Sequence, residues 1–243
     1  MPTFIHGKDT AVFIGGYNAA SSLRMTTYGA KVDTAEVTTY GASDKAYIVG
    51  QTTTTIQHEG ILSSGTAEAD AWLAQVFAGT PEPWSVYLGG DTFGNPGFAH
   101  PAIMSGAEIT ADMGDAVKFS TEGQGSGVGL DRTVSLRALA QSTGTAAGTN
   151  YDAGAGSNGG WAAYLHVVSG TVAAGTVTVE HSTDGATGWT ALVTWTFAGT
   201  AANALGGIGA QFAEGAGTVR RYVRHNLSGL SGTVRFGVGF ARR

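Results

Sequence analysis

The run Val234-Arg-Phe236-Gly-Val238-Gly-Phe240 alternates strictly along its length. Successive side chains of a β-strand point to opposite faces, so Val234, Phe236, Val238 and Phe240 share one face of a half-buried strand. Upstream, Thr176-Val-Thr-Val-Glu180 and Thr194-Trp-Thr-Phe197 keep the same period, and Arg221–Leu227 follows it loosely. Trp161-Ala-Ala-Tyr-Leu-His-Val-Val168 is a fuller apolar run, as expected of a buried strand. Turn-forming pairs separate these runs: Ser169-Gly170, Asp184-Gly185, Gly206-Gly207, Ser228-Gly229 and Ser231-Gly232. Short strands at this spacing predict a small antiparallel β-sandwich over residues 161–243.

The N-terminal part is β-rich with one helical exception. Ala69, Trp72, Leu73, Val76 and Phe77 recur at helical spacing. Thr66 is a suitable N-cap, Glu68 and Asp70 sit near the positive end, and Gly79 before Pro81 ends the run, which predicts a helix over Thr66–Ala78. Around it lie threonine-rich segments, Lys31–Tyr40, Ile48–Leu62, Trp84–Leu88 and Ala107–Thr121. Threonine is stiff at its branched β-carbon and fits the pleat, so these read as strands. Residues 141–160, rich in Gly, Ser, Thr and Ala, have no period and read as a flexible connection. The expected organisation is an assembly domain over 1–140, a linker over 141–160 and a sandwich over 161–243.

Composition narrows the function. The chain has 243 residues, 39 of them glycine, no cysteine, and only 13% charged residues. That charge is about half the usual ~25%, while 42% apolar content still permits a core. Without cysteine there is no disulfide framework and no thiolate metal site. No window approaches the ~20 apolar residues of a membrane span, and the start lacks the features of a secretory signal, so a soluble chain is expected. Residues 1–150 carry 14 acids against 7 bases, and residues 151–243 carry 4 acids against 6 arginines. An acidic first part argues against tight nucleic-acid binding, which needs cations to displace phosphate counterions. The basic cluster Arg220, Arg221, Arg224, Arg235, Arg242 and Arg243 reads as a solvated strand face with a basic tail.

No motif carries catalysis. Gly154-Ala-Gly156-Ser-Asn-Gly159 matches the dinucleotide fingerprint formally but lacks the strand-to-helix context that makes it work, so it reads as linker. Ser182-Thr-Asp184-Gly-Ala-Thr187-Gly-Trp189 resembles the Asp-box hairpin of sialidase-like propellers, with altered spacing and in a single copy; a hairpin turn with Trp189 packed on the core explains it. His6, His58, His100, His166, His181 and His225 are scattered without metal-ligand spacing, and Asp112 and Asp115 read as a turn. No catalytic residue, cofactor or metal is expected, and the chain is not expected to be an enzyme.

Few charges beside many strands imply poor solubility for an isolated chain, because open edges invite pairing with another chain. Burying those edges against copies of itself resolves the problem. The order of N-terminal elements then becomes informative. Lys31-Val-Asp-Thr-Ala-Glu-Val-Thr-Thr-Tyr-Gly41 comes first, followed by Ser43-Asp44-Lys45-Ala-Tyr47, Val49-Gly50, the strand to Leu62, the helix, Trp84–Leu88 and Val117–Ser126. This succession resembles the tail tube (major tail) proteins of long-tailed, siphovirus-like bacteriophages, over roughly residues 25–130. The resemblance implies a mainly β fold: a tail-tube-like barrel or sandwich with one helix, followed by an immunoglobulin-like sandwich. It implies rings, usually hexameric, that stack into a tube through which genomic DNA passes without specific binding. It implies a hairpin loop contacting the next ring, matched here by Tyr40, Gly41, Asp44, Lys45, Tyr47 and Gly50. The implied partners are the chain itself, tape measure and terminator proteins, and no membrane; the implied location is the virion tail, assembled in the host cytoplasm. Two other readings stand beside it. One is a carbohydrate- or host-surface-binding protein presenting Trp161, Trp189, Trp195 and Tyr222. The other is a tail terminator, baseplate or connector ring.

Overall fold

A computed structural model describes residues 7–40, 43–64, 69–74, 79–127, 129–201 and 209–243. The chain is mainly β, as its alternation predicts. Among the described residues fourteen strands belong to one hydrogen-bonded network, and every ladder in it is antiparallel. In chain order they are β1 (Ala11–Ile14), β2 (Tyr17–Asn18), β3 (Leu23–Glu36), β4 (Tyr47–Ile61), β5 (Glu82–Tyr87), β6 (Pro96–Thr110), β7 (Lys118–Gly125) and β8 (Asp131–Ser142). There follow β9 (Ala146–Ala147), β10 (Tyr151–Asp152), β11 (Trp161–Ser182), β12 (Thr190–Ala201), β13 (Gly209–Gly215) and β14 (Tyr222–Arg242).

Among the described residues, two large apolar cores and a small cluster of Ala99, Ala162, Tyr164 and Ala241 sit on this network. The first gathers Val12, Ile14, Ile56, Trp84 and Phe119 around the helix α1 (Ala69–Leu73), whose Trp72 meets Phe119 edge-on at 5.1 Å. Ala69, Trp72 and Leu73 are buried as the helical spacing requires. The expected cap and the rest of the apolar face, Thr66, Glu68, Val76 and Phe77, lie outside the described residues. The second core joins Trp161, Leu165, Val177, Trp195, Phe197 and the alternating Val234, Phe236, Val238 and Phe240.

The connection between the two parts differs from the expected flexible linker. Residues 131–140 fall within the span expected for the first domain, yet Leu136 packs into the second core and β8 pairs with β14 from Thr133↔Ala241 to Ser142↔Val234. Within 141–160, β9 and β10 both pair with β14, and Ser157 bridges Val219. Backbone amides that lack apolar side chains to bury are satisfied here by a neighbouring strand edge.

Three predicted turns are not turns. Ser169-Gly170, Ser228-Gly229 and Ser231-Gly232 lie inside β11 and β14, which run 22 and 21 residues. The register between them slips near Val167/Ser169 and again on either side of Ala174. Gly170 and Gly232 have φ of 151° and 110°, and a Cβ on either would meet the carbonyl oxygen of Thr233 or Thr171. Glycine thus marks bulges that bend a continuous strand, a use indistinguishable from a turn in sequence alone. The bend lets one edge of β11 pair with β13 over 161–167 and with β12 over 171–181. The β-prone segment Ala107–Thr121 holds the end of β6, an exposed turn at Asp112 and Asp115, and the start of β7. Asp184-Gly185 is a true turn between β11 and β12.

Candidate assembly surface

β3 and β4 form a hairpin whose inner half belongs to the first core and whose outer half is exposed among the described residues. Within β4, Thr54, Ile56, His58 and Gly60 are buried in alternation, fixing one face inward. Beyond Thr54 the alternation stops. Residues 30–40 and 43–53, 22 in all, are exposed on both faces of the ribbon. At about 3.3 Å per residue, the paired segment Ala30–Glu36 alone extends on the order of 20 Å.

The arm holds its shape without packing. Its register runs from Ala30↔Thr54 to Glu36↔Tyr47, with a bulge between Val32 and Thr34. Gly50 lies against that bulge, where a Cβ would come within 3.0 Å of the Asp33 carbonyl oxygen. At the tip, Val37 N–H donates to Ala46 O at 2.8 Å, Ala46 N–H donates to Thr38 Oγ1, and Lys45 pairs with Glu36 at 3.1 Å.

Of the residues singled out for inter-copy contact, Tyr40, Asp44, Lys45, Tyr47 and Gly50 all lie on this arm, and Gly41 lies outside the described residues. Tyr40 is fully exposed and Val49 is 78% exposed. The structure adds Val32, Val37 and Ile48 to the exposed apolar group. The β-prone segments Lys31–Tyr40 and Ile48–Leu62 gave no sign in sequence that these side chains would be uncovered. So much apolar surface on a free ribbon is unusual for a monomer.

Two further surfaces belong with the arm. β3 pairs with β4 alone, so its other edge is open among the described residues. Between that edge and β1, β5 and β6 runs a groove of about 780 Å³, with Val12, Leu23, Tyr28, Val86, Leu88 and Phe98 in its walls. The outward face of the sheet β3–β4–β7–β6 is polar and acidic. Its cross-strand rows read Met25–Glu59–Ser120–Glu108 and Thr27–Gln57–Glu122, with Thr55 beside Gln124 in the next row. Glu59, Glu108 and Glu122 form no ion pair among the described residues. Lys118, on the same face, is held by Asp115 at 2.5 Å, and this contact chiefly lowers the Asp115 carboxyl below its ordinary value.

The remaining sequence candidates resolve as structural features. Trp161 and Trp195 are buried in the second core, so the four aromatic residues do not present a common platform. Trp189, expected on the core, instead lies under the Arg224 guanidinium at 3.9 Å, and Tyr222 under that of Arg221 at 4.9 Å. The arginine cluster is not simply solvated. Arg221 grips Asp152, Arg224 grips Glu180, and Arg242 donates to three backbone carbonyls. Asp184 accepts from the N–H groups of Thr187 and Ala186 and from the hydroxyls of Thr187 and Ser182, which holds its carboxyl far below the usual range. Gly154–Gly159 leads from β10 to β11, with no helix to receive a phosphate.

The described histidines are buried, His58 and His100 both packing on the Tyr28 ring, and no group of three or more metal-binding side chains occurs among the described residues. His166 bonds Ser85 Oγ and Gly15 O, both at 2.8 Å. His58 touches Thr26 Oγ1 at 3.1 Å and stacks on Trp84 at 5.2 Å. Burial lowers His58 to about 3, and it lowers His100 to about 4 against a smaller opposing effect of Asp131. Among the described residues no helix is long and apolar enough to cross a membrane.

No protein-family model and no curated protein matches the chain. Among solved structures it is similar to a chain from the virion of a native gene transfer agent particle, at 16% identity and a TM-score of 0.43, covering 52% of this chain and 97% of that one. It is similar to the SPP1 tail tube at 11% identity and a TM-score of 0.44, covering 53% of this chain and 78% of that one. Similarity to a chain of the activated phage p2 baseplate extends over 96% of this chain and 98% of that one, at 10% identity and a TM-score of 0.37.

Proposed function

We propose that this chain is a structural virion protein, the tail tube subunit of a long-tailed bacteriophage, which assembles as stacked rings around a channel for DNA. The observation that carries the reading is the arm of 22 residues exposed on both faces, with Val32, Val37, Tyr40, Tyr47, Ile48 and Val49 uncovered. Burying apolar surface is worth about 25 cal/mol per Å², so covering this arm is a strong drive toward association. The resemblance of the Lys31–Ser126 succession to tail tube proteins gives that drive its setting.

The open edge of β3 supplies the sideways contact. A strand from a neighbouring copy that pairs there continues the sheet, and a closed ring of such sheets leaves no edge exposed. The face bearing Glu59, Glu108 and Glu122 then lines the bore. Carboxylates without cations repel phosphate, so a duplex slides instead of adhering. The role requires no catalytic step and no cofactor.

Electron microscopy of the concentrated protein, with sedimentation velocity alongside, tests the reading. Rings or tubes with a central channel are expected. A species that stays monomeric at high concentration, and also when offered preformed tail ends, overturns it.

A further inference from the structure

We propose that the cleft between β6, β8, β10 and β14 binds a carboxylate-bearing sugar, one acidic unit of a polysaccharide. The cleft has a volume of about 290 Å³, and none of its residues belongs to the arm or to β3. Its place follows from register. Pro96 of β6 lies level with Val134 of β8, which lies level with Phe240 of β14, so the three form one cross-strand row. Two residues along each strand, on the same face, come Arg132 of β8 and Arg242 of β14. Tyr151 of β10 also lines the cleft, its ring edge-on to Phe93 at 6.2 Å.

The charge of this cleft is unbalanced. No carboxylate is among its lining residues. Arg132 is exposed and forms no ion pair among the described residues. Arg242 donates to the carbonyl oxygens of Ala155, Arg220 and Arg221 at 2.6, 2.5 and 2.7 Å. Those carbonyls fix the guanidinium without cancelling its charge, and its buried Nε has no partner among the described residues. The acids that adjoin the cleft in sequence are engaged elsewhere, Asp131 by Arg243 and Asp152 by Arg221. Like charges opposite each other on neighbouring strands repel, and an anion between them relieves that cost. A planar guanidinium pairs best with a carboxylate or phosphate.

Size and lining select among anions. At ~30 Å³ per water molecule, the cleft has the room of about ten waters, more than a bare anion fills. A single sugar ring suits it. The CH groups of such a ring pack against Tyr151, Phe240 and Pro96, while its carboxylate reaches the arginines. Apolar walls with a few fixed polar groups are the usual form of a small-ligand site. Repeated on every copy of an assembled tube, a weak site gains by multivalency; that consequence alone rests on the assembly reading.

Saturation-transfer NMR on the full chain, with methyl glucuronide and methyl glucoside as probes, tests the inference. The glucuronide is expected to bind with a Kd of about 1 mM, the scale for a ligand of its size. The glucoside, the same ring without the charge, should bind about tenfold more weakly. Arg132→Ala should weaken the glucuronide about tenfold and leave the glucoside unchanged, and Arg132→Lys, which keeps charge but loses the fork, should fall between. Arg132 is exposed, so both variants should melt with the parent. Inorganic phosphate should displace the glucuronide only in large excess. Displacement at equal concentration marks a bare-anion site and overturns the inference. So does equal binding of the two sugars, a glucuronide affinity that Arg132→Ala does not move, or no signal at about ten times the expected Kd.

Discussion

Asp131 and Arg243 form a two-pronged ion pair, with Arg243 Nε donating to Oδ1 at 2.8 Å and Nη2 to Oδ2 at 2.7 Å. The Asp131 side chain is 9% exposed and also accepts a 2.5 Å hydrogen bond from the Tyr164 hydroxyl. One carboxylate at the start of β8 thus ties together β8, β11 and the residue that follows β14. Arg243 also reaches Glu214 on β13, whose side chain is 42% exposed. Asp131→Ala removes both prongs from Arg243 and leaves the buried Tyr164 hydroxyl without its short acceptor, so it should cost about 3 kcal/mol in chemical denaturation. Glu214→Ala breaks a more exposed pair and should cost less than about 1 kcal/mol. Equal losses from the two substitutions would refute this ranking.

The two parts of the chain should not separate at residue 160. A fragment of residues 161–243 lacks Leu136, which fills the second core, and the β8 edge that pairs with β14. It should show no cooperative thermal transition. A fragment beginning at residue 129 restores both and should melt cooperatively. Folding of the shorter piece with native-like dispersion in a proton NMR spectrum is the contrary result.

Acid should weaken the fold before its carboxylates titrate. His58 and His100 are fully buried, and burial lowers them to about 3 and about 4. In the unfolded chain both take up protons near pH 6.5, so below that pH the unfolded state binds more protons and stability falls. Above about 6.5 this contribution is flat; from there toward pH 4 each histidine removes about 1.4 kcal/mol per pH unit. His58→Phe keeps a ring against Trp84 and should flatten the slope between pH 6.5 and 4.5. Denaturation midpoints across that range provide the check, and an unchanged slope rejects the assignment.

Trypsin should report the state of the arm. Lys31 and Lys45 stand on an exposed ribbon with no cover from the body. Cleavage after Lys45 in the free chain should be rapid, since residues 43–46 are exposed, and should slow at least tenfold in assembled material. Equal rates in both states mean that the arm lies outside the contact.

Reversing the charge of the outward sheet face should convert repulsion into adhesion. Glu59→Lys with Glu122→Lys replaces two unpaired carboxylates by cations on neighbouring rows. Assembled variant should retain duplex DNA at low salt and release it steeply as salt rises, while the parent retains none. Fluorescence anisotropy of labelled duplex reads this directly.

Several features of this molecule were legible in residue order. The alternation of Val234–Phe240 and Thr176–Glu180, the helical spacing around Trp72, and Asp184-Gly185 as a turn all reflect local geometry. Such geometry repeats every two or every 3.6 residues whatever the rest of the chain does. That Tyr40, Asp44, Lys45, Tyr47 and Gly50 share one hairpin followed from the order of the strands around them.

Only the tertiary structure decided which strand each strand meets. Ser169-Gly170 and Ser231-Gly232 spell a turn or a bulge equally well, and the choice depends on β11 and β14 pairing across more than fifty residues of sequence. β8 abandoned the expected boundary because Leu136 and Asp131 found their partners in the second half. The face that carries Glu59, Glu108 and Glu122 together exists only in register, since these residues are far apart in the chain. Local periods are set by bond geometry, whereas partners, edges and shared faces are set by long-range burial and hydrogen bonding, which no short window of sequence contains.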